Sequence, residues 1–397
     1  MNAADQVGEL ATLTNAIAVV QQNRQLVVEN VVLPELTKST SASNGQLSIP
    51  QTSALTPTPC SDSQLINSQT GLAFDVDAFG DGAVLGCDFV GTVTKAHPNV
   101  SKLQGGDRIA ALVWGGEIKS VGSYSSYCIA DERISFKVPS TIESPKACAV
   151  PLAANTAYLA LFSEDCLGLS RDVSTIKPPV LIWGGSSVVG YFAIQLAKLH
   201  GYPVATTCSP RNFNYVKNAG ATYVFDYNDV DVVTKLQTTL PTLSHVFDTI
   251  GNTTSSVTAS ATLNARPGAL CTVRPGKANT EEIPSNIKVT DVFVFTAFPT
   301  AHTYRGLVHW PEVRSRCADL SFPCPQVSMP SHLLSAELYE QLPDLLQNKS
   351  VSPPPVKIMG KLGPQSVMEA MGLNRDGKIS AEKLCFEVSS ALEKRHA

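Results

Sequence analysis

Apolar and polar positions change rhythm along this chain. Near the start, apolar runs at Ala16–Val20 and Gln25–Leu33 are separated by polar residues, the pattern of an antiparallel strand pair. From Thr37 to Thr70 the text turns polar and rich in Ser, Thr and Pro, which predicts loop, with Ala54-Leu55-Thr56-Pro57 as a candidate functional turn. Short apolar runs punctuated by glycine return over Leu85–Val93, Gly105–Ile109 and Gly122–Cys128, and they predict a small barrel-like β domain.

After Pro151 strand-like runs alternate with helical text at the spacing of βαβ units, which predicts a parallel sheet. Strands are expected at Val180–Trp183, Val204–Cys208, Tyr223–Phe225, His245–Ile250 and Leu270–Val273. Helices are expected between them at Val189–His200, Asn212–Ala219, Val232–Leu240 and Thr254–Ala265. This is the grammar of a Rossmann-like, doubly wound α/β unit. A helix near Ala336–Gln347, a turn at Pro353–Pro355 and a closing strand at Leu384–Val388 read as a return to the first domain. The organisation expected is a β-rich unit over 1–150, the α/β unit over 151–325 and the returning segment over 326–397. The stretch Val289–Thr296 reads either as a covered strand or as a dimer edge, and a monomer is expected.

At 397 residues and 43% hydrophobic content the chain can bury a sizeable core. A net charge of −4 and no dense cluster of Lys and Arg exclude a nucleic-acid footprint, so a small-molecule partner is favoured. The first thirty residues lack a basic start followed by an apolar core, and no apolar run reaches the roughly 18–20 residues of a membrane span. No secretory signal or membrane span is expected. Ten cysteines without a CxxC pair read as reduced, buried thiols of a cytoplasmic protein.

The apolar strand Pro179–Trp183 runs straight into Gly184-Gly185-Ser186-Ser187-Val188-Val189-Gly190, and helical text follows. Glycines then stand at the tight turn, Gly190 stands where a helix packs closely on a strand, and helix N-terminal amides stay free for a pyrophosphate. The strand before, the helix after and the further βα alternations make this a dinucleotide site rather than an isolated turn. Enzymes that take NAD usually end the second strand with an acid for the ribose hydroxyls. Here it ends Cys208-Ser209-Pro210-Arg211-Asn212, without an acid. A hydroxyl, a guanidinium and an amide suit a 2′-phosphate, which points to NADPH; the alternative is an ordinary helix start with Arg211 solvated.

No Cys, His and carboxylate set has zinc-ligand spacing, so no metal is expected. Nor does a Gly-x-Ser-x-Gly elbow mark a serine nucleophile. The cofactor would carry the chemistry, with Tyr124, Tyr127, Tyr158 or His302 as candidate proton donors.

Taken together, Gly86-Cys87-Asp88-Phe89-Val90-Gly91, Gly106-Asp107-Arg108-Ile109, Ala153-Ala154-Asn155-Thr156-Ala157, the glycine turn with Ala193–Lys198, and Thr207–Phe213 resemble the zinc-independent medium-chain dehydrogenases/reductases. The Thr207–Phe213 form is similar to the trans-acting enoyl reductases of fungal polyketide synthases, and the likeness covers about residues 12–390. The resemblance implies a GroES-like, β-rich barrel domain beside the Rossmann-like one, and NADPH-dependent reduction of an α,β-unsaturated acyl thioester held by a transient partner polyketide synthase. It implies cofactor contacts at Ser186–Val189, Ser209–Asn212, Tyr227, Val273 and Arg274. It further implies an acyl chain lined by Pro151-Leu152-Ala153-Ala154-Asn155-Thr156-Ala157-Tyr158 and by Phe295-Thr296-Ala297-Phe298-Pro299. One departure stands out. The family's first-domain loop commonly reads Asn-Pro, a small residue, Asp, an aromatic residue and Lys, whereas this chain has Thr56-Pro57-Thr58-Pro59-Cys60-Ser61. A non-redox cyclase or isomerase that keeps the fold, or a scaffold partner of the synthase, would tolerate that change.

Overall fold

A computed structural model of the chain describes residues 15–23, 25–33, 52–60, 80–97, 100–116, 119, 121–298, 302–304, 307–309 and 330–388. Strands β1 (Asn15–Gln22) and β2 (Gln25–Val32) pair antiparallel, with Asn23 in the turn at φ 48°. Then come β3 (Thr52–Cys60), β4 (Asp88–Ala96), β5 (Arg108–Leu112), β6 (Cys128–Asp131) and β7 (Ser135–Lys137). Helices α1 (Ser144–Cys148) and α2 (Pro151–Phe162) lead out of this unit.

The α/β unit follows as β8 (Val180–Trp183), α3 (Val188–Leu199), β9 (Val204–Cys208), α4 (Phe213–Ala219), β10 (Tyr223–Asp226), α5 (Val232–Thr239), β11 (His245–Asp248), α6 (Ser255–Ala261), β12 (Gly268–Thr272) and β13 (Ile287–Asp291). All six strands are parallel, in the order β10-β9-β8-β11-β12-β13. The chain therefore reverses direction beside β8, the switch point at which open α/β sheets place their ligands. A short hairpin, β14 (His302–Tyr304) with β15 (Leu307–His309), precedes α7 (Pro330–Gln347), β16 (Val356–Lys361), α8 (Pro364–Arg375) and β17 (Lys383–Glu387). β16 and β17 complete a seven-stranded sheet ordered β16-β17-β3-β4-β5-β7, with β6 on β3, so both ends of the chain build the β-rich layer.

Several elements differ from the sequence reading. The segment read as loop contains β3, an inner strand paired with β4 along most of its length and with β6 over Thr52–Leu55. Its other side meets β17 only at Cys60. Pro57 and Pro59 thus fall where β3 is paired on one side alone, the place where a strand tolerates a residue without an N–H. Helix α2 was not foreseen because every one of its residues is buried and no amphipathic stripe marks it. Helix α6 stops at Ala261, short of the expected Ala265, since Asn264 and Ala265 adopt positive φ (50° and 54°). Of Val289–Thr296, the first residues belong to β13, the outermost strand of its sheet, and Val294–Ala297 forms a 3-10 turn.

The largest apolar core runs from Cys87 and Trp114 through α2 and α3 to Phe295, Leu338 and Cys385, so it joins the two layers. Among the described residues no helix is long and apolar enough to cross a membrane. Seven cysteines among them are buried.

Candidate active site

Strand β8 is buried along its whole length and ends at Gly184, whose φ of 86° suits glycine. The turn that follows is pinned from the strand on each side. From β9, Thr207 accepts the Gly184 amide on its hydroxyl at 3.1 Å and the Gly185 amide on its carbonyl at 2.9 Å. From the end of β11, the Thr249 hydroxyl donates to the carbonyls of Trp183 and Gly184, each at 2.9 Å. Ser187 is the N-cap of α3: its hydroxyl accepts the Gly190 amide at 2.9 Å and donates to Thr249 at 2.8 Å. The Ser187 side chain is thus spent on the turn itself. The amides of Val188 and Val189, in the first turn of a twelve-residue helix, have no preceding helical carbonyl to bond and are the donors open to an anion.

A Cβ at Gly190 would overlap the Gly184 carbonyl oxygen and lie 2.9 Å from Gly185 Cα; one at Gly185 would overlap the Thr206 hydroxyl. Backbone is packed on backbone here with no room for side chains. That cradle, with its free amides, fits the pyrophosphate of a dinucleotide.

At the end of β9, Ser209 is half-buried and Arg211 is exposed and forms no ion pair among the described residues. Asn212 departs from the expectation of a phosphate ligand, because its Nδ2 donates to Ser380 Oγ of the returning segment at 3.0 Å. Asp226, the acid at the end of the neighbouring β10, accepts Asn228 N at 2.9 Å and, by burial together with this charge, the Cys208 thiol is pushed up to about 11. Tyr227 is exposed beside it. Val273 and Arg274 follow β12, and Arg274 Nε donates to Gly251 O at 2.9 Å, bracing the loop after β11.

That loop hangs on Asp248, which sequence reasoning missed. Fully buried, its carboxylate accepts the amides of Ile250 and Gly251 at 2.9 and 3.1 Å and the hydroxyls of Ser255 and Ser256 at 2.7 Å each. The run Asp248-Thr249-Ile250-Gly251 straight after an apolar strand was the available signal.

The two segments expected to line an acyl chain meet in the core between the layers. Phe295 stacks on Trp114 at 4.3 Å between ring centres, with Phe293 edge-on and Phe298 tilted against Trp114 at 5.6 and 5.8 Å. Pro299 lies outside the described residues, as does Ser61. Leu152, Ala153, Ala154, Thr156 and Ala157 are buried in α2, and Asn155 is fully buried with both side-chain polar atoms unpartnered.

Tyr158 stands elsewhere. Its hydroxyl accepts Arg171 Nη1 at 3.0 Å and its ring lies 6.5 Å from that of His200, which follows the C-terminus of α3. Twelve helical residues at about 1.5 Å each set that end roughly 18 Å from the glycine turn, so Tyr158 is at the wrong edge of the sheet to protonate a bound substrate. Burial also raises its hydroxyl pKa. Tyr124 is buried in a separate apolar group, edge-on to Phe386 at 5.6 Å. Tyr127 packs at the edge of that same group, and the side chain of His302 lies outside the description. Among the described residues no three His, Cys, Asp or Glu side chains come together to hold a metal ion.

Two family models match: an alcohol dehydrogenase GroES-like domain over residues 61–140 and a zinc-binding dehydrogenase domain over 188–310. A trans-enoyl reductase of Fusarium sp. (strain FN080326) is 39% identical over 182 residues, 44% of this chain and 51% of that protein. The match thus spans about half the relative's length. A trans-enoyl reductase of Gibberella fujikuroi is 28% identical over 78% of this chain and 85% of its own length. A solved structure of a putative zinc-dependent alcohol dehydrogenase from Rhizobium etli shares the fold with a TM-score of 0.70 at 18% identity, over 95% of this chain and 99% of that one. By its two matched domains, its doubly wound sheet and these relatives, the chain belongs to the medium-chain dehydrogenase/reductase family and resembles the fungal trans-enoyl reductases.

Proposed function

We propose that this chain is a cytoplasmic, trans-acting enoyl reductase, which moves hydride from NADPH to an α,β-unsaturated acyl thioester carried by a separate polyketide synthase. The observation that carries the reading is the glycine turn opening α3, where no Cβ fits and two helix amides are free. The names of the relatives support the substrate class, and the absence of an acid at the end of β9 supports NADPH. When bound, NADPH supplies the hydride. The amides of Val188 and Val189 hold its pyrophosphate, Arg211 takes the 2′-phosphate, and the Trp114 aromatic group with α2 keeps the acyl chain dry. The test is loss of reduced-nicotinamide absorbance with an enoyl thioester, matched by formation of the saturated thioester. Product without cofactor oxidation would replace reduction by cyclisation or isomerisation on the same fold.

Cofactor choice has its own check. Arg211→Ala should weaken NADPH binding by roughly 1.5–3 kcal/mol, the range for hydrogen bonds to charged groups, and leave NADH binding nearly unchanged. Titrations with both cofactors at one ionic strength read the difference. Equal weakening of both, or of neither, removes Arg211 from the site.

A further inference from the structure

The glycine turn has free amides only if its backbone is held with them pointing outward, and the turn does not hold itself. A chain of hydrogen bonds crosses it: the Gly190 amide donates to Ser187 Oγ at 2.9 Å, Ser187 Oγ donates to Thr249 Oγ1 at 2.8 Å, and Thr249 Oγ1 donates to the carbonyls of Trp183 and Gly184 at 2.9 Å. Thr249 comes from the end of the neighbouring strand and is buried. It also approaches Gly184 so closely that a Cβ there would lie 2.8 Å from its hydroxyl, so the missing side chain and the threonine are matched. A hydroxyl is needed at 249, because a group that only accepts or only fills space breaks the chain between Ser187 and the carbonyls.

We propose that Thr249 is a positioning residue for the dinucleotide: it acts through Ser187 to fix the first turn of α3, and does not itself touch the cofactor. The inference rests on the dinucleotide reading above. Thr249→Val keeps the shape and removes the hydroxyl; Thr249→Ser keeps the hydroxyl. In the cofactor-free protein, amide hydrogen exchange at Gly190 should quicken in Thr249→Val and stay near wild type in Thr249→Ser. In NADPH titrations Thr249→Val should bind about fivefold more weakly, the equivalent of about one net hydrogen bond of 1 kcal/mol, with Thr249→Ser restoring the affinity. Unchanged Gly190 exchange in the valine variant overturns the proposal whether or not NADPH binds, as does a serine variant that behaves like the valine one. Wild-type protein that binds no NADPH, with the exchange pattern as expected, overturns the dinucleotide reading and leaves the hydrogen-bond lock standing.

Discussion

A chain with Gly190→Val is expected to fold and yet to bind NADPH on the order of 100-fold more weakly. The Cβ alone would overlap the Gly184 carbonyl oxygen and sit 2.9 Å from Gly185 Cα and 3.0 Å from Ser187 Oγ. The first two are backbone atoms of the turn, and they can yield only by moving the amides that would face the pyrophosphate. Overpacking of this kind costs about 1–3 kcal/mol or more; if all of it falls on the bound conformation, 3 kcal/mol is on the order of a 100-fold loss in affinity. Gly105→Ala is the control, since nothing lies within 4 Å of a Cβ there. Circular dichroism establishes folding and a fluorescence titration reads binding. A folded Gly190→Val protein with wild-type affinity would remove the turn from the site.

How readily each half of the fold could be read follows from where its partners lie. Strands β8, β9, β11 and β12 are short, mostly buried runs, and the helices that fill the gaps between them at regular spacing mark the βαβ pattern. Strand β3 is opposite in kind. Its text, Thr-Ser-Ala-Leu-Thr-Pro-Thr-Pro-Cys, is that of a loop, and it is a strand because β4, β6 and β17 offer edges from elsewhere in the chain. Helix α2 failed for another reason: a helix buried all round has no polar face to give it a period.

The same division runs through the site. Gly184 and Gly190 were legible because their chemistry is local backbone geometry. Thr249 and Asp248 were not, since their partners are contributed across the sheet; Thr249 reaches Ser187 over 62 positions. Trp114 acquires its role only when Phe293, Phe295 and Phe298 arrive from the far end of the α/β unit. Tyr158 shows the converse error. It shares a helix with the implied acyl-lining residues, yet two turns of α2 carry it toward His200 and Arg171.

Removing one member of the buried pair Asp88–Lys383 is expected to produce the largest loss of stability. The two side chains are almost wholly buried and directly bonded, joining β4 to the start of β17 across 295 positions. Asp88 has a second task. Helix α2 begins after Val150, which has no side chain able to cap it, and Asp88 Oδ1 accepts the Leu152 amide at 2.6 Å instead. The carboxylate so placed also suits the positive end of that helix. Lys383→Met removes the ammonium bonded to this carboxylate, and Asp88→Asn removes the carboxylate bonded to that ammonium; breaking a buried pair in this way costs about 3–5 kcal/mol. Urea unfolding at unchanged m-value measures it. The double variant Asp88→Asn/Lys383→Met removes both members of the pair and keeps an acceptor for Leu152, so it should recover much of the loss. Single variants that lose less than about 1 kcal/mol, the size of an exposed pair, would show that water reaches the site. A double variant as unstable as the two singles added together would show that the residues act independently, and that β17 is held to β4 by its strand neighbours alone.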